Sequence, residues 1–117
     1  GALAGNPMLL LTTAGARTGE ARITPLTYHA DGADFIVMAS AGGSLVHPAW
    51  YRNLAADDDV VVEVGKERFS ARATTEVGAA RAEVFDRMVE ELPRFADYQH
   101  DVEREVPVVR IQRLAAS

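Results

Sequence analysis

Short apolar runs separated by turn residues limit what this chain can fold into more than any other feature of its sequence. Residues 8–13 (MLLLTT) form such a run, which ends in β-branched side chains and predicts a buried strand. Residues 14–19 hold two glycines and predict a turn. Comparable runs predict further strands over residues 22–29, 34–40, 60–64, 68–75 and 106–111. The chain is therefore expected to be built around a sheet.

The connections between these runs predict antiparallel neighbours. Ala30-Asp31-Gly32 is typical of a hairpin turn, and Gly65-Lys66 joins two further runs in the same way. Pro25 cannot donate a ladder hydrogen bond, so the strand over residues 22–29 is expected at an edge of the sheet or at a bulge.

Two segments have the spacing of helices. Residues 48–56 begin at Pro48, which suits a first helical turn, and Trp50 and Leu54 share a face. Residues 79–92 form the longest amphipathic segment, which Pro93 ends. Its apolar face is expected to consist of Ala82, Phe85, Met88, Val89 and Leu92. Residues 95–104 could add one further short helix.

The order of these elements predicts the fold class. The helices are inserted between strands and do not alternate with them, which favours an α+β, barrel-like, mainly antiparallel sheet over a doubly wound one. A dinucleotide-binding Rossmann unit is also disfavoured because no G-x-G-x-x-G follows a strand. With 117 residues and no linker, residues 1–117 are expected to form a single domain.

Composition excludes several classes of function. The 17 acidic and 12 basic residues give a net charge of -5, which argues against a nucleic-acid partner. The absence of cysteine excludes disulfides and thiol catalysis, and no histidine spacing indicates a metal site. Surface or capping roles are expected for His29, His47 and His100.

All basic residues but Lys66 are arginines, whose planar fork suits phosphates and carboxylates.

Three stretches could carry chemistry. The first runs from Thr12 to Gly19 and continues to Arg22, where glycines allow a sharp turn and arginines could pair with an anion. The alternative is a hairpin loop with solvated arginines. The second runs from Ala39 to Gly43 and leads into residues 47–54, where Trp50 could wall a pocket and Asn53 could orient it. The alternative is that Trp50 is core and that Asn53 caps a helix.

The third stretch, residues 93–99, places Phe95 and Tyr98 one turn apart after the end of a helix, which could form a flap over a site. Alternatively, Phe95 packs in the core and Tyr98 is half exposed.

Taken together, these stretches resemble the deazaflavin-dependent nitroreductase family of split β-barrel oxidoreductases, which includes F420H2-dependent quinone reductases. The resemblance rests on residues 10–26 (LLTTxGxRTGxxRxxPL), 39–43 (ASxGG), 48–54 (PxWxxNL), 62–65 (VEVG), 98–99 (YQ) and 107–109 (PVV). These motifs cover nearly the whole chain and occur in the family's order.

The resemblance implies an FMN-binding split barrel-like fold and the cofactor F420, a deazaflavin with a phosphate and an oligoglutamate tail. It implies that the phosphate and tail are held by Thr12, Thr13, Arg17, Thr18 and Gly19. The path toward the ring would be lined by Arg22, Thr24, Pro25 and Leu26. Ala39, Ser40 and Ala41 would lie beside the ring, with Trp50 and Asn53 supporting that wall. Ser40 and Tyr98 are the candidates for polarising the acceptor or supplying a proton.

The implied activity is F420H2-dependent hydride transfer to a small organic acceptor such as a quinone, an activated enone or a nitro compound. Two alternatives are an FMN-dependent oxidoreductase on the same fold and a non-catalytic protein that binds deazaflavin or a lipid. The family's nitroreductases have lysine at the position of Ala41 and tyrosines at those of Leu92 and Phe95. These departures predict a more apolar acceptor side and put nitro reduction in question.

Three expectations concern the surroundings of the protein. Split barrels of this size often pair, so a homodimer is expected. A cytoplasmic location is expected, because no apolar run approaches the roughly 18 residues of a membrane span. The chain opens at Gly1 without the N-terminal helix of its relatives, so membrane association through such a segment stays open.

Overall fold

Seven strands and two helices make up the part of the chain that the computed structural model describes, residues 7–39, 48–91, 93, 96 and 105–114. The strands are β1 (Met8–Ala14), β2 (Ala21–Thr27), β3 (His29–Asp31), β4 (Asp34–Met38), β5 (Asp59–Val64), β6 (Glu67–Glu76) and β7 (Val108–Arg113). The helices are α1 (Ala49–Ala56) and α2 (Gly78–Glu91). The third helix predicted over residues 95–104 lies almost entirely outside the described residues.

All strands belong to one antiparallel sheet with the order β2-β1-β5-β6-β7-β4-β3. The helices are inserted between β4 and β5 and between β6 and β7, so the predicted α+β class is confirmed. Pro25 lies in β2, an outermost strand of the sheet, where its missing N–H costs no ladder bond.

The single strand predicted over residues 22–29 is wrong, because the chain divides there into β2 and β3. Only Tyr28 separates the two strands, yet they lie at opposite edges of the sheet order. Two edges joined by one residue must lie close together, so the sheet is curled into a half-barrel. The turn predicted at residues 30–32 also lies later in the chain, since Asp31 pairs with Asp34 across Gly32 and Ala33.

The core inside the curl comes from the alternation of buried side chains along β1. Leu9, Leu11 and Thr13 are buried, whereas Met8 and Leu10 are exposed on the other face. Helix α1 begins directly after Pro48, as predicted, and places Trp50 and Leu54 in this core. The helix thus packs against the interior of the sheet beside β1.

A second core lies between the sheet and α2. Val84 and Met88 are buried there against Ile36, Val106 and Val108. The predicted apolar face of α2 is wrong at Ala82, which is exposed. The helix is rotated so that the larger Val84 is buried, because a valine removes more apolar surface from water than an alanine does. Phe85 and Val89 flank the contact, as predicted, while the side chain of Leu92 lies outside the described residues.

A charged cluster joins the strands on the α2 side of the sheet. Arg110 of β7 donates hydrogen bonds to Asp31, Asp34 and Glu76, with distances of 2.8, 2.7 and 2.5 Å. Close by, His29 is buried with its Nδ1 2.8 Å from Glu91, so the expected surface role of this histidine is wrong.

In the described part of the chain, neither helix has the length and apolar character needed to cross a membrane.

Candidate functional site

The loop that joins β1 to β2 is a compact turn closed by its own backbone. The strands remain paired up to Ala14 and Ala21, which leaves residues 15–20 to make the turn. The Gly15 N–H donates to the Glu20 carbonyl across 2.7 Å, and the Gly19 N–H donates to the Gly15 carbonyl across 2.8 Å. These bonds fix the loop at both of its ends.

Both glycines in this loop suit its geometry. A Cβ at Gly15 would lie 3.3 Å from the Glu20 carbonyl oxygen and 3.3 Å from Thr18 Oγ1. Gly19 has a φ of +76°, in the left-handed region that side chains disfavour. The two glycines predicted to permit a sharp turn therefore do so for different reasons, one by close approach and one by backbone conformation.

Two adjacent backbone N–H groups in the loop, those of Arg17 and Thr18, have no hydrogen-bond partner among the residues that the structure describes. The amides on either side are all satisfied. Besides the two glycine bonds, the Glu20 N–H donates to Thr18 Oγ1 and the Ala16 N–H donates to Asn53. Consecutive free amides at a turn are suited to binding an anion.

Asn53 of α1 holds this loop in place. Its Oδ1 accepts a hydrogen bond from the Ala16 N–H at 3.0 Å, and its Nδ2 donates to Thr13 Oγ1 at 3.2 Å. Asn53 is 8% exposed and Thr13 is 2% exposed, so the bond between them is shielded from water, whereas the bond to the exposed Ala16 is part-buried. The helix-capping alternative for the Asn53 side chain is wrong, since both of its polar atoms are directed to the loop and to β1.

A cavity of about 720 Å³ lies between this loop, β2 and α1. Six residues predicted to form the site line it together, namely Arg17, Thr18, Arg22, Thr24, Trp50 and Asn53. Five further residues of the described part of the chain also line it, namely Gly15, Ala16, Ile23, Ala49 and Arg52. Trp50 is both a wall of the cavity and, at 7% exposed, a member of the inner core, so its two alternative roles coexist.

Three arginines make the cavity locally positive on a chain whose net charge is -5. Arg22 lies 3.3 Å from Glu20, and both side chains are more than half exposed, so this ion pair is weak. Arg17 and Arg52 form no ion pair with any residue that the structure describes. Their guanidinium groups remain available to a bound anion.

Other predicted site residues lie elsewhere. Thr12, Thr13 and Gly19 line a separate cavity of about 360 Å³, although Thr12 faces the opposite side of β1 from Thr13. Pro25 lines a third cavity of about 220 Å³. Leu26 and the fully buried Ala39 pack in the inner core.

The remaining predictions fall outside the described residues. They concern Ser40, Ala41 and Tyr98, together with the substituted positions Leu92 and Phe95.

Arg52 is the charged residue of the cavity that the sequence analysis did not predict. It stands between Trp50 and Asn53, which were both selected, but a single arginine on a short helix carries no signal of its own. Ala49, Arg52 and Asn53 have the i, i+3, i+4 spacing of one helix face. Once Asn53 is placed against the loop, that spacing directs Arg52 to the same side.

Comparison with known proteins gives consistent findings. A family model described as F420H2-dependent quinone reductase matches residues 1–112. A curated F420H2-dependent quinone reductase of Mycobacterium tuberculosis is 38% identical over 110 residues, which are 92% of this chain and 74% of the relative. A solved structure of an F420-H2 dependent reductase (FDR-A) superposes with a TM-score of 0.82 at 33% identity, covering 91% of this chain and 94% of the other.

A second solved structure, described as a domain-swapped dimer, also has a TM-score of 0.82 and 33% identity. It covers 91% of this chain and 80% of that chain.

Proposed function

The chain belongs to the F420H2-dependent quinone reductase family, and from this premise we propose that its 720 Å³ cavity receives the anionic part of the cofactor. The family assigns an oxidoreductase with reduced F420 as its cofactor and a split β-barrel as its fold. The reaction is the reduction of a quinone, and the acceptor is a small molecule.

The observation that carries the proposal is the pair of unpartnered amides at Arg17 and Thr18, beside three arginines. F420 has a phosphate and several carboxylates, so its binding site must supply hydrogen-bond donors and positive charge. Two backbone N–H groups and the Arg17 guanidinium supply both within one turn. A flavin carries no oligoglutamate tail and would leave part of this charge without a counterion.

Roles follow for the remaining site residues that the structure describes. Arg22 and Thr24 belong to the inward-facing set of β2 and extend the cavity along that strand. Thr13 and Asn53 hold the loop, Gly19 shapes it, and Trp50 walls the cavity. Leu26 contributes packing, whereas Thr12 and Pro25 line other cavities and would act on this one only through the strands that carry them. Ala39, Ser40 and Ala41 are proposed to lie beside the ring.

When bound, reduced F420 supplies the hydride for the reaction. The task of the protein is to orient the two reactants and to exclude water. Reduction of a quinone also needs a proton, for which Ser40 and Tyr98 are the proposed sources. Substitution of each by a residue without a hydroxyl group should lower turnover and leave cofactor affinity unchanged. Unchanged turnover in both variants would remove this assignment.

The binding proposal is tested by titrating the protein into oxidised F420 and following the cofactor's fluorescence. Saturable quenching is expected, and Arg17→Ala should weaken it by about tenfold or more, because a charge-assisted hydrogen bond is lost. Arg68→Ala is the matched control, since Arg68 is exposed on β6 and lines none of the three cavities. Binding of FMN without binding of F420 would overturn the proposal.

Turnover is tested separately, by following the oxidation of reduced F420 with a water-soluble quinone. Turnover is expected, whereas tight binding of F420 without turnover would indicate a non-catalytic binding protein.

We propose that activated enones are also reduced and that nitro compounds are poor acceptors. The same assay with an enone and a nitroarene at matched concentrations measures this order.

We further propose that the enzyme is a homodimer that acts in the cytoplasm. The outward face of β1 and β2 supports self-association, because Met8, Leu10 and Ile23 are exposed there, Ile23 at 61%. Light scattering coupled to size exclusion should give twice the chain mass. Leu10→Glu should yield monomer, because Leu10 lies on this face and outside the cofactor cavity, and a monomeric wild-type protein would contradict the dimer. Recovery of the native protein in the membrane fraction of cells would contradict the location.

A further inference from the structure

We propose that Arg52 of helix α1 binds carboxylates of the oligoglutamate tail and makes the enzyme sensitive to the presence and length of that tail. The inference rests on the proposed function, since it deepens the assignment of the same cavity. A contact between Arg52 and the tail would also define the path of the tail, which would leave the cavity over α1 and not along β2.

Arg52 reaches the cavity from a different element than the other two arginines do. Arg17 and Arg22 belong to the loop and to β2, whereas Arg52 approaches the cavity from the helix that forms its other wall. The neighbouring Asn53 ties α1 to the loop by a part-buried hydrogen bond and to β1 by a buried one. The base of the Arg52 side chain is thereby held at a fixed distance from the loop amides.

The charge of Arg52 is also available to a ligand. Arg52 is exposed and forms no ion pair with a described residue, although the chain carries more acidic than basic residues. The acidic run at residues 57–59 follows α1 closely, yet Asp59 pairs with Arg72 of β6. An arginine left without a protein counterion at the edge of a cavity is suited to a ligand carboxylate, which its planar fork can bind with two hydrogen bonds.

The charges of the cofactor and of the cavity can be compared group by group. The phosphate of the cofactor is matched by the loop amides and Arg17, and Arg22 is partly neutralised by Glu20 at 3.3 Å. Each added glutamate brings one more carboxylate. The loop amides, Arg17 and Arg22 already have partners and leave no arginine free to bind it. Arg52 supplies that cation, and its position on the opposite wall places the carboxylates beyond the phosphate.

The test compares three ligands with wild type, Arg52→Ala and Arg52→Lys by fluorescence titration. The ligands are F420 with several glutamates, the phosphorylated deazaflavin without glutamate, and the deazaflavin that retains only the ribityl chain. Arg52→Ala should weaken binding of the long-tailed cofactor by about threefold or more and leave the two tail-less ligands unchanged. Arg52→Lys should recover part of the affinity, because the charge remains. The difference should shrink in 0.5 M salt.

The outcomes separate this inference from the proposed function. If wild type binds none of the ligands, the proposed function fails. If wild type binds the long-tailed cofactor and Arg52→Ala binds it equally well, Arg52 is a solvated side chain and only the inference fails. Equal weakening for all three ligands would assign Arg52 to the integrity of the cavity. Arg72→Ala, on a strand that contributes nothing to this cavity, controls for the loss of an exposed arginine.

Discussion

Asn53 Nδ2 donates a hydrogen bond to Thr13 Oγ1 across 3.2 Å, and this bond ties helix α1 to strand β1 where both residues are buried. The other polar atom of the same side chain accepts from the Ala16 N–H. One side chain therefore couples the helix, the strand and the loop that would hold the cofactor phosphate.

Replacing Asn53 with alanine should reduce both stability and cofactor affinity. The variant leaves the buried Thr13 hydroxyl without its partner, which costs about 1–3 kcal/mol, and it also removes the part-buried bond to the Ala16 N–H, whose loss costs less because Ala16 is exposed to water. Thr13→Val is the matched variant, because it removes only the bond to Asn53 Nδ2. Chemical denaturation and F420 titration of both variants measure the two effects. Full cofactor affinity in Asn53→Ala would show that the loop keeps its shape without this residue.

Replacing Glu20 with glutamine should increase cofactor affinity. The Glu20 carboxylate lies 3.3 Å from Arg22 and competes with an anionic ligand for that arginine. Because both side chains are exposed, the gain should be modest, about two- to fivefold at low salt, and it should disappear in 0.5 M salt. Glu63→Gln is the control, since Glu63 forms a comparable exposed pair with Arg68 at 3.5 Å. A loss of affinity in Glu20→Gln would mean that Glu20 orients Arg22 for binding.

The two loop glycines should respond differently to alanine. Gly15→Ala should displace the loop, because its Cβ would lie 3.3 Å from the Glu20 carbonyl oxygen, and cofactor affinity should fall. Gly19→Ala meets no atom within 4 Å, so its effect should be mainly backbone strain of about 1 kcal/mol. Gly32→Ala shares that backbone conformation, with a φ of +62°, in a hairpin that lines none of the three cavities. Equal binding losses in Gly15→Ala and Gly32→Ala would contradict this account.

Stability should fall in acid through the cluster around Arg110. The hydrogen bond from Arg110 lowers the pKa of Asp31 below its ordinary value, against an opposing effect of desolvation. A carboxyl group whose pKa is lower in the folded state stabilises the protein above its unfolded pKa of about 4 and loses that contribution as pH falls through the folded pKa. Asp31→Asn should therefore differ from wild type at pH 7 and approach it near pH 3.

Urea unfolding over this pH range measures the effect, with Asp58→Asn as an exposed control. A difference between Asp31→Asn and wild type that is the same at pH 7 and pH 3 would exclude the ion-pair explanation.

The core beneath α2 should affect stability without affecting the site. Met88 is completely buried against β4 and β7, so Met88→Ala should cost about 2–5 kcal/mol. Cofactor affinity of the folded variant should remain within twofold of wild type, because none of the cavity residues touches this core.

We also expect one cooperative transition in wild type and variant, as for a single domain. Two separate transitions would show that the half-barrel and α2 unfold independently.

The sequence allowed the class of fold, the β1–β2 turn and most residues of the cavity to be predicted, because these depend on local chemistry. Two glycines close that turn, Pro25 is confined to an edge, and Pro48 precedes a helix. The family suggested by the motifs is confirmed, although the individual site assignments remain predictions.

Features that depend on tertiary packing could not be predicted. Nothing near Tyr28 marks the division between β2 and β3, because the two strands part only when the sheet curls. The rotation of α2 that exposes Ala82 is set by the surface on which it packs, and so is the burial of His29. Arg52 becomes part of the cavity only through the bonds that Asn53 makes with residues far away in sequence.

The one-residue connection at Tyr28 also limits how this scaffold can vary. Since it joins the two outermost strands, it fixes the circumference of the barrel, and the Tyr28 N–H is itself bonded to the Pro7 carbonyl across 3.1 Å. A residue inserted there would turn one edge strand over and direct its apolar side chains to water. Exposed side chains of the loop at residues 15–20 can change without altering this connection. Cofactor preference can therefore diverge through the side chains of that loop while the barrel keeps its size.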